Sequence, residues 1–240
     1  MDRLEPAADP PAVVDGSASG PGRARGEGRG EGLITGPRRA QLIRGARVAL
    51  GRPLTAEELS SLERYLALIA TWSRVHRLTG STEPGWLIEH VILDSLLFAR
   101  ALGRVPETLL DIGPGAGAPG LPLKIVWRGL SLTAIEARRR RASFLTTAVR
   151  ELGLSGVTVL NCRAEALVDE LGGRYDAVVF RAVGPLERVV PLAVRFARPG
   201  GVVIGGGPPI PRLAPLGRWV EVPSLGPGRT RRFLRVDVPG

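Results

Sequence analysis

The chain has 240 residues, 44% of them hydrophobic, and its 33 lysines and arginines outnumber 23 aspartates and glutamates, which gives a formal net charge of +10. Such a chain is long enough to bury one sizeable core and to carry an appendage. Its single cysteine, Cys162, excludes an intramolecular disulfide and suits the reducing cytoplasm, and the lack of a run of about 18 apolar residues excludes a membrane-spanning helix.

The positive charge is unevenly distributed along the chain. Residues 1–40 contain six arginines and six acidic residues, so the whole excess lies in residues 41–240. A folded domain with this excess is attracted to phosphate backbones, which favours a nucleic-acid partner. A composition bias toward arginine is the alternative explanation, since Lys124 is the only lysine, but it does not account for the shortage of acidic residues.

The first 106 residues divide into a tail and a helical region. Residues 1–36 are rich in glycine, proline and alanine, so we expect a disordered tail there. Residues 37–106 are predicted to be helical. Thr55 and Glu58 have the spacing of a capping box, and apolar residues recur at helical spacing after them. A second helix is predicted over residues 83–102.

Strands and helices alternate over residues 107–240, which we assign as the core domain. The predicted strands are 108–112, 131–136, 157–161, 175–180, 200–205, 217–222 and 231–237. The predicted helices between them lie near 118–128, 139–152 and 185–197. This alternation predicts an α/β, Rossmann-like fold with a seven-stranded, mostly parallel sheet. The last two strands have no strong helix between them and predict an antiparallel hairpin at one sheet edge.

The most informative motif is a glycine-rich turn at residues 111–122, with the sequence DIGPGAGAPGLP, directly after an apolar strand. Glycine permits positive φ and close approach of the backbone to a ligand, and the helix that follows is expected to present free N–H groups to that ligand. The next strand ends on Glu136, 23 residues after Gly113. An acid at that distance can bind a ribose, so a nucleoside-containing cofactor is predicted.

The charge near the turn favours one cofactor. Asp111 stands two residues before Gly113, which is awkward for a ligand with phosphates but suits a cationic one. S-adenosylmethionine carries a sulfonium and an ammonium and has no phosphate, so a methyltransferase is favoured. A nicotinamide or flavin enzyme and a purely structural turn remain alternatives.

Several segments together resemble the 16S ribosomal RNA guanine-N7 methyltransferase G family, also called glucose-inhibited division protein B. The resemblance covers roughly residues 54–237. The segments that carry it are WSRVHRLT at 72–79, ILDSL at 92–96, DIGPGAGAPGLP at 111–122, RRASFL at 140–145, EL at 151–152, RAE at 163–165, YDAVVFRA at 175–182 and PGG at 199–201.

The resemblance implies a class I S-adenosylmethionine-dependent methyltransferase that transfers a methyl group to N7 of a guanine in 16S rRNA. Its implied partner is 16S rRNA or the small ribosomal subunit, and we expect a cytoplasmic, monomeric enzyme without a metal. The implied cofactor contacts are Gly113, Ala118, Ala164, Glu165 and Arg181, with Glu136 at the ribose. No catalytic residue is assigned, because guanine N7 has a free lone pair and needs no general base.

The chain departs from the family pattern at several positions, among them Arg77 in place of a common asparagine and Val91 in place of a usual histidine, and two departures bear on function. Family members carry a larger apolar residue at the position of Ala118 and a lysine at the position of Gly206. Two alternative functions follow: a noncatalytic RNA-binding relative, or a methyltransferase of the same fold that acts on a small molecule or a protein.

Two basic segments are candidates for RNA contact. Arg138–Arg141 open the helix after the second strand, and Arg74 and Arg77 lie near Trp72. Each segment is either a solvated helix face or a phosphate-binding surface. Trp72 itself is predicted to belong to the core, and Cys162 is predicted to be a partly buried residue without catalytic function.

Overall fold

The computed structural model describes residues 34–207, 217–224 and 228–240. The predicted tail of residues 1–36 lies outside this part of the chain except for its last three residues. Among these three, Ile34 is buried and belongs to the main hydrophobic core. The packed part of the chain therefore includes a residue that the sequence analysis assigned to the tail.

The region before the first strand is helical. Its helices are α1 (Pro37–Leu50), α2 (Ala56–Ser73), α3 (Pro84–Leu87) and α4 (Asp94–Leu102), with a π-helical segment (Ile88–Leu93) between α3 and α4. The predicted capping box is present, because the Thr55 hydroxyl accepts from the Glu58 amide and the Glu58 carboxylate accepts from the Thr55 amide. The helix predicted over 83–102 is confirmed as one helical stretch, interrupted by the π segment that the sequence did not reveal.

The strands form one sheet in the order β3-β2-β1-β4-β5-β7-β6. They are β1 (Thr108–Ile112), β2 (Ser131–Ile135), β3 (Val157–Leu160), β4 (Tyr175–Phe180), β5 (Ala197–Gly206), β6 (Arg218–Pro223) and β7 (Thr230–Asp237). The first five are parallel, while β7 is antiparallel to both β5 and β6. The predicted seven-stranded, mostly parallel sheet and its antiparallel hairpin are confirmed.

One strand begins earlier than predicted. β5 starts at Ala197, whereas the strand was predicted to begin at residue 200, because the Arg-Pro-Gly-Gly sequence at 198–201 is typical of a turn that leads into a strand. Ala197 pairs with Tyr175, and the register shifts before Ala177 pairs with Val202. The turn sequence is therefore accommodated as a bulge within the strand, where the extra residues re-aim the chain without ending the pairing.

Helices cover both faces of the sheet. The helices α5 (Gly120–Val126) and α6 (Arg139–Glu151) pack on the face that also carries the N-terminal helices, and α8 (Leu186–Phe196) packs on the other. A short 3-10 helix (Ala164–Leu167) and α7 (Val168–Leu171) follow β3 and were not predicted. Every residue of β4 is buried, as expected for a central strand covered on both faces. No helix in the described part of the chain is long and apolar enough to span a bilayer.

Candidate active site

The candidate site lies at the edge of the sheet where the parallel strands end. The register pairs Ile112 of β1 with Phe180 of β4, and Phe180 with Gly205 of β5. The residues that follow these strands therefore lie side by side, with the glycine turn next to Arg181 and Arg181 next to the end of β5. Ligand crevices in open α/β sheets form at this edge.

The glycine turn satisfies most of its own backbone donors. The amides that donate to the turn or to its neighbours are those of Gly113, Gly115, Gly117, Ala118 and Gly120. In the described structure, Ala116 holds the only amide of residues 113–120 without such a partner. A turn that binds phosphates instead keeps several free N–H groups for them. The turn is therefore suited to a cofactor without phosphates, which favours S-adenosylmethionine over a dinucleotide.

Gly113 is the position where the turn most clearly needs glycine. Its φ is +64°, and a Cβ built there would lie 3.0 Å from Cγ2 of Val183, in the loop after β4. Real Cβ atoms rarely make so short a contact, and bulky residues avoid positive φ. The backbone of β1 and the β4–α8 loop therefore approach each other closely over the crevice.

Glu136 joins the end of β2 to the turn. One of its oxygens accepts from the Gly115 amide at 3.0 Å and the other accepts from the Arg138 amide at 2.9 Å. The Asn161 side chain, just after β3, donates to the Glu136 carbonyl at 2.8 Å. Glu136 thus holds the turn in place, and its carboxylate is buried at the position predicted for a ribose.

Asp111 does not face the ligand, which corrects one step of the sequence analysis. It is fully buried, and its Oδ2 accepts from the Gly120 amide at 2.7 Å, so it caps α5 and occupies the first N–H that was expected to be free. Its Oδ1 is buried without a partner, and burial raises the pKa of Asp111 to about 7. The Asp111 carboxylate therefore contacts the start of α5, and the prediction that it faces a cationic cofactor is wrong.

Of the other residues predicted to contact the cofactor, some lie at the edge of the sheet and some are buried in the hydrophobic cores. Glu165 is exposed in the 3-10 helix that follows β3, at the same sheet edge as Glu136. Ala164, its neighbour, is buried in the smaller core. Ala118 is also buried, and it belongs to the main core, below the turn. The structure thus brings Gly113, Glu136 and Glu165 to one edge and leaves the two alanine side chains inside.

Tyr65 of α2 supports the turn and was missed by the sequence analysis. It is fully buried, and its hydroxyl donates to the Ala116 carbonyl. A Cβ at Gly117 would lie 2.8 Å from the same hydroxyl oxygen. A tyrosine at helical spacing between Leu62 and Ile69 was the available signal, because a buried hydroxyl requires a partner.

Arg181 leaves β4 between the turn and the end of β5. Its Nη1 donates to the His90 carbonyl in the π-helical segment at 2.6 Å. π-helical turns often occur at functional sites, where they re-aim backbone groups. Nδ1 of His90 also lies 3.4 Å from Oδ2 of Asp94, which is four residues further along the same helical stretch.

A cavity of about 470 Å³ opens beside Arg181. Its lining combines aromatic, glycine and charged residues from α4, the β4–α8 loop, β5 and β7. The lining residues are Asp94, Phe98, Phe180, Arg181, Ala182, Gly184, Pro185, Leu186, Glu187, Gly206, Gly207, Arg231, Arg232 and Phe233. The cavity lies one strand away from the glycine turn, on the side of the sheet edge away from Glu136.

The candidate RNA-binding arginines at the start of α6 lie near this edge of the sheet, whereas Trp72 and Cys162 were predicted to have no functional role. Arg139 and Arg140 are exposed at the start of α6, and the Arg141 guanidinium lies close to Gly115. Trp72 packs edge-on against Phe144 with ring centroids 5.6 Å apart, which confirms its place in the core. Cys162 is partly buried, as predicted, and burial raises the pKa of its thiol, which disfavours the thiolate.

Solved structures with the same architecture are methyltransferases and related enzymes. The O-methyltransferase TomG from Streptomyces achromogenes, solved with S-adenosylmethionine, superposes with a TM-score of 0.51 and 20% identity, over 73% of this chain and 90% of that chain. This likeness shows a Rossmann-like fold of the kind found in S-adenosylmethionine-dependent methyltransferases, and the internally bonded glycine turn is compatible with that class.

Sequence comparison identifies the family within this class. The family profile described as "rRNA small subunit methyltransferase G" (GidB) matches residues 58–205. A protein of that name from Rubrobacter xylanophilus is 38% identical over 86% of this chain and 91% of its own length. Another from Sorangium cellulosum is 41% identical over 65% of this chain and 66% of its own length. The chain belongs to the rRNA small subunit methyltransferase G family.

Proposed function

We propose that the protein transfers the methyl group of S-adenosylmethionine to N7 of a guanine in 16S rRNA of the small ribosomal subunit. The observation that carries this proposal is the position of the cavity. It lies one strand away from a glycine turn whose amides are internally satisfied, so that cofactor and acceptor can meet beside Arg181. The relatives named rRNA small subunit methyltransferase G supply the substrate class.

The residues around the turn fit this cofactor. Glu136 stands where the ribose hydroxyls would lie, and each of its oxygens keeps a lone pair beyond the bond it already accepts. Glu165 follows β3, where an adenine edge would lie. Gly113 lets the end of β1 lie close to the β4–α8 loop, and Arg181 offers a positive charge to the methionine carboxylate. When bound, the cofactor supplies an electrophilic methyl group.

The cavity suits an acceptor that needs no base. Guanine N7 forms a bond to the methyl carbon as the carbon–sulfur bond breaks, and no proton is released. The positive charge moves from sulfur to the guanine ring. Among the described residues that line the cavity there is no cysteine, histidine or lysine, and Asp94 is already bonded to Arg231 at 2.8 Å. Positioning of the reactants is therefore the main contribution of the protein.

The RNA is proposed to bind over the basic start of α6. Arg139 and Arg140 are exposed at the edge that carries the cofactor turn, and in the described structure neither has a carboxylate partner. Phosphate contacts of this kind position a nucleic acid without specifying its sequence. Cytoplasmic location, a monomeric state and independence of metals remain predictions.

Incubation with radiolabelled S-adenosylmethionine and 30S particles tests the proposal. We expect label in 16S rRNA at a guanine whose N7 methylation makes the chain cleavable after borohydride and aniline treatment. Cofactor and RNA binding without label would instead indicate the noncatalytic relative. Label in a small molecule or a protein would indicate the other alternative.

A further inference from the structure

The cavity beside Arg181 has a wall that matches one edge of a purine base. This wall is formed by Asp94 at the start of α4, whose side chain is 21% exposed and lines the cavity. The Arg231 guanidinium donates to Asp94 Oδ1 at 2.8 Å, and His90 lies 3.4 Å from Oδ2. Arg231 therefore fixes the carboxylate at the cavity wall with His90 beside it, and each oxygen retains a further lone pair that can accept from a ligand.

The order of groups along the sheet edge fixes how a guanine would lie. The glycine turn precedes Arg181, and the cavity follows it, so N7 must face the side of the turn to meet the methyl group. The opposite side of the cavity then meets the Watson–Crick edge of the base, where guanine presents the N1–H and N2–H donors. Adenine presents an N1 lone pair there, which would oppose a carboxylate oxygen.

The cavity has aromatic side chains suited to packing against a flat ring. A Cβ at Gly206 would lie 3.1 Å from Cγ of Arg181 and 3.7 Å from the Phe98 ring, so the glycine lets both side chains pack close to the end of β5, where they line the cavity. The Phe98 and Phe233 rings pack edge-to-face with centroids 4.7 Å apart and form an apolar wall. Enzymes that modify a base take it out of the stack into a pocket of this mixed character and recognise its Watson–Crick edge.

We propose that this cavity holds the target guanine and that Asp94 accepts hydrogen bonds from its N1–H and N2–H groups. This proposal rests on the proposed function and adds a residue that determines specificity. N7 methylation makes the base cationic and its N1–H more acidic, so the contact with Asp94 strengthens as the methyl group is transferred. An interaction that is stronger in the transition state than in the ground state accelerates the reaction.

A purely structural Asp94 is the competing explanation, because its ion pair with Arg231 joins α4 to β7. Glu89 provides a matched control. Its carboxylate lies 3.7 Å from Arg231 and 4.0 Å from Arg229, but it does not line the cavity. Glu89→Gln therefore weakens the same cluster of charges without touching the proposed base.

The test is nucleotide binding by the full chain saturated with S-adenosylhomocysteine, followed by ligand-observed NMR with GMP, IMP and AMP. We expect GMP to bind more tightly than AMP by at least about fivefold, the lower end for one discriminating base contact, with IMP between them. Asp94→Asn should abolish this order, and Glu89→Gln should retain it. Melting curves and S-adenosylhomocysteine affinity show that both variants are folded.

Three results would overturn the inference: no GMP binding at millimolar concentration, equal binding of GMP and AMP by the wild type, or an unchanged preference in Asp94→Asn. The proposed function is judged separately by the 30S assay. Methylation of 30S particles without a GMP preference would overturn this inference alone, whereas a GMP preference without rRNA methylation would overturn the function alone.

Discussion

The two halves of the sheet's carboxyl edge are built in opposite ways. On the side of β1 and β2, the polar groups bond to one another: Glu136 accepts two backbone amides, and Asp111 accepts a third. On the side of β4, β5 and β7, the charged side chains are also paired, as Asp94 is with Arg231, but they line an open cavity of about 470 Å³. The first half is preorganised for a cofactor of fixed shape, and the second leaves space for a substrate.

The largest expected effect is on the preorganised half. Gly113→Val would place a β-branched side chain at positive φ and against Val183, so we expect cofactor binding to be lost in calorimetry with S-adenosylhomocysteine. Gly129→Val is the matched control, because nothing lies within 4 Å of its Cβ position and its φ is ordinary. If Gly113→Val bound the cofactor with normal affinity, the turn would tolerate a side chain, and the first half of the edge would not be preorganised as described.

The second prediction concerns the RNA that the open half must receive. Replacing Arg139 and Arg140 by alanine should weaken RNA binding and reduce the log–log salt slope by about one unit for each lost phosphate contact. Cofactor affinity should not change. Arg104 and Arg174 are also exposed but precede β1 and β4, at the opposite edge of the sheet. If their double alanine variant had the same effect, the surface at α6 would have no special role.

The third prediction sharpens the role of the N-terminal helices in the preorganised half. Tyr65→Phe removes the donor to the Ala116 carbonyl and leaves a buried acceptor unsatisfied, at a cost of about 1–3 kcal/mol. We expect a lower melting temperature together with weaker cofactor binding. Tyr175→Phe removes a buried hydroxyl at the start of β4, away from the turn. That control should leave cofactor affinity unchanged; equal cofactor affinity in both variants would exclude a role for Tyr65 in shaping the turn.

The last prediction concerns the stability of the fold, through the buried carboxyl under the turn. The pKa of Asp111 is raised to about 7 by burial, above the value of about 3.9 in an unfolded chain. The folded state therefore holds its proton more tightly, and stability is lost as the pH rises from about 4 to about 7. Asp111→Asn cannot ionise and can still accept a hydrogen bond from the Gly120 amide, so its melting temperature should rise relative to that of the wild type as the pH increases from about 4 to about 7. If the difference in melting temperature between Asp111→Asn and the wild type did not vary with pH, the proposed ionisation of Asp111 would be contradicted.

Much of the fold could be predicted because its signals are local. Alternating apolar strands and helices give the parallel sheet, and the missing helix before the last strand gives the hairpin. The π segment could not be predicted, because IEHVIL has an ordinary helical pattern and the observed Arg181 contact to His90 comes from a distant strand. The bulge in β5 likewise depends on its partner, since the Arg-Pro-Gly-Gly sequence alone favours a turn.

The site was predictable in position but less so in detail. Glycines and acids at strand ends locate Gly113 and Glu136, because the carboxyl ends of parallel strands share one edge. The orientation of Asp111 could not be deduced, since its burial depends on the packing of α5 over β1. Tyr65 and Asp94 come from the helices before the sheet, and only the tertiary structure brings them to the turn and the cavity.

The most direct test of the central claim is single-turnover methyl transfer to 30S particles by Asp94→Asn at saturating labelled S-adenosylmethionine, alongside its affinity for S-adenosylhomocysteine. Because the cofactor half is complete without the cavity, we predict an affinity within about twofold of the wild type and a transfer rate reduced at least about tenfold, within the range expected for one base contact. A transfer rate equal to that of the wild type, or a cofactor affinity that falls as far as the rate, would contradict the division of the edge into two halves.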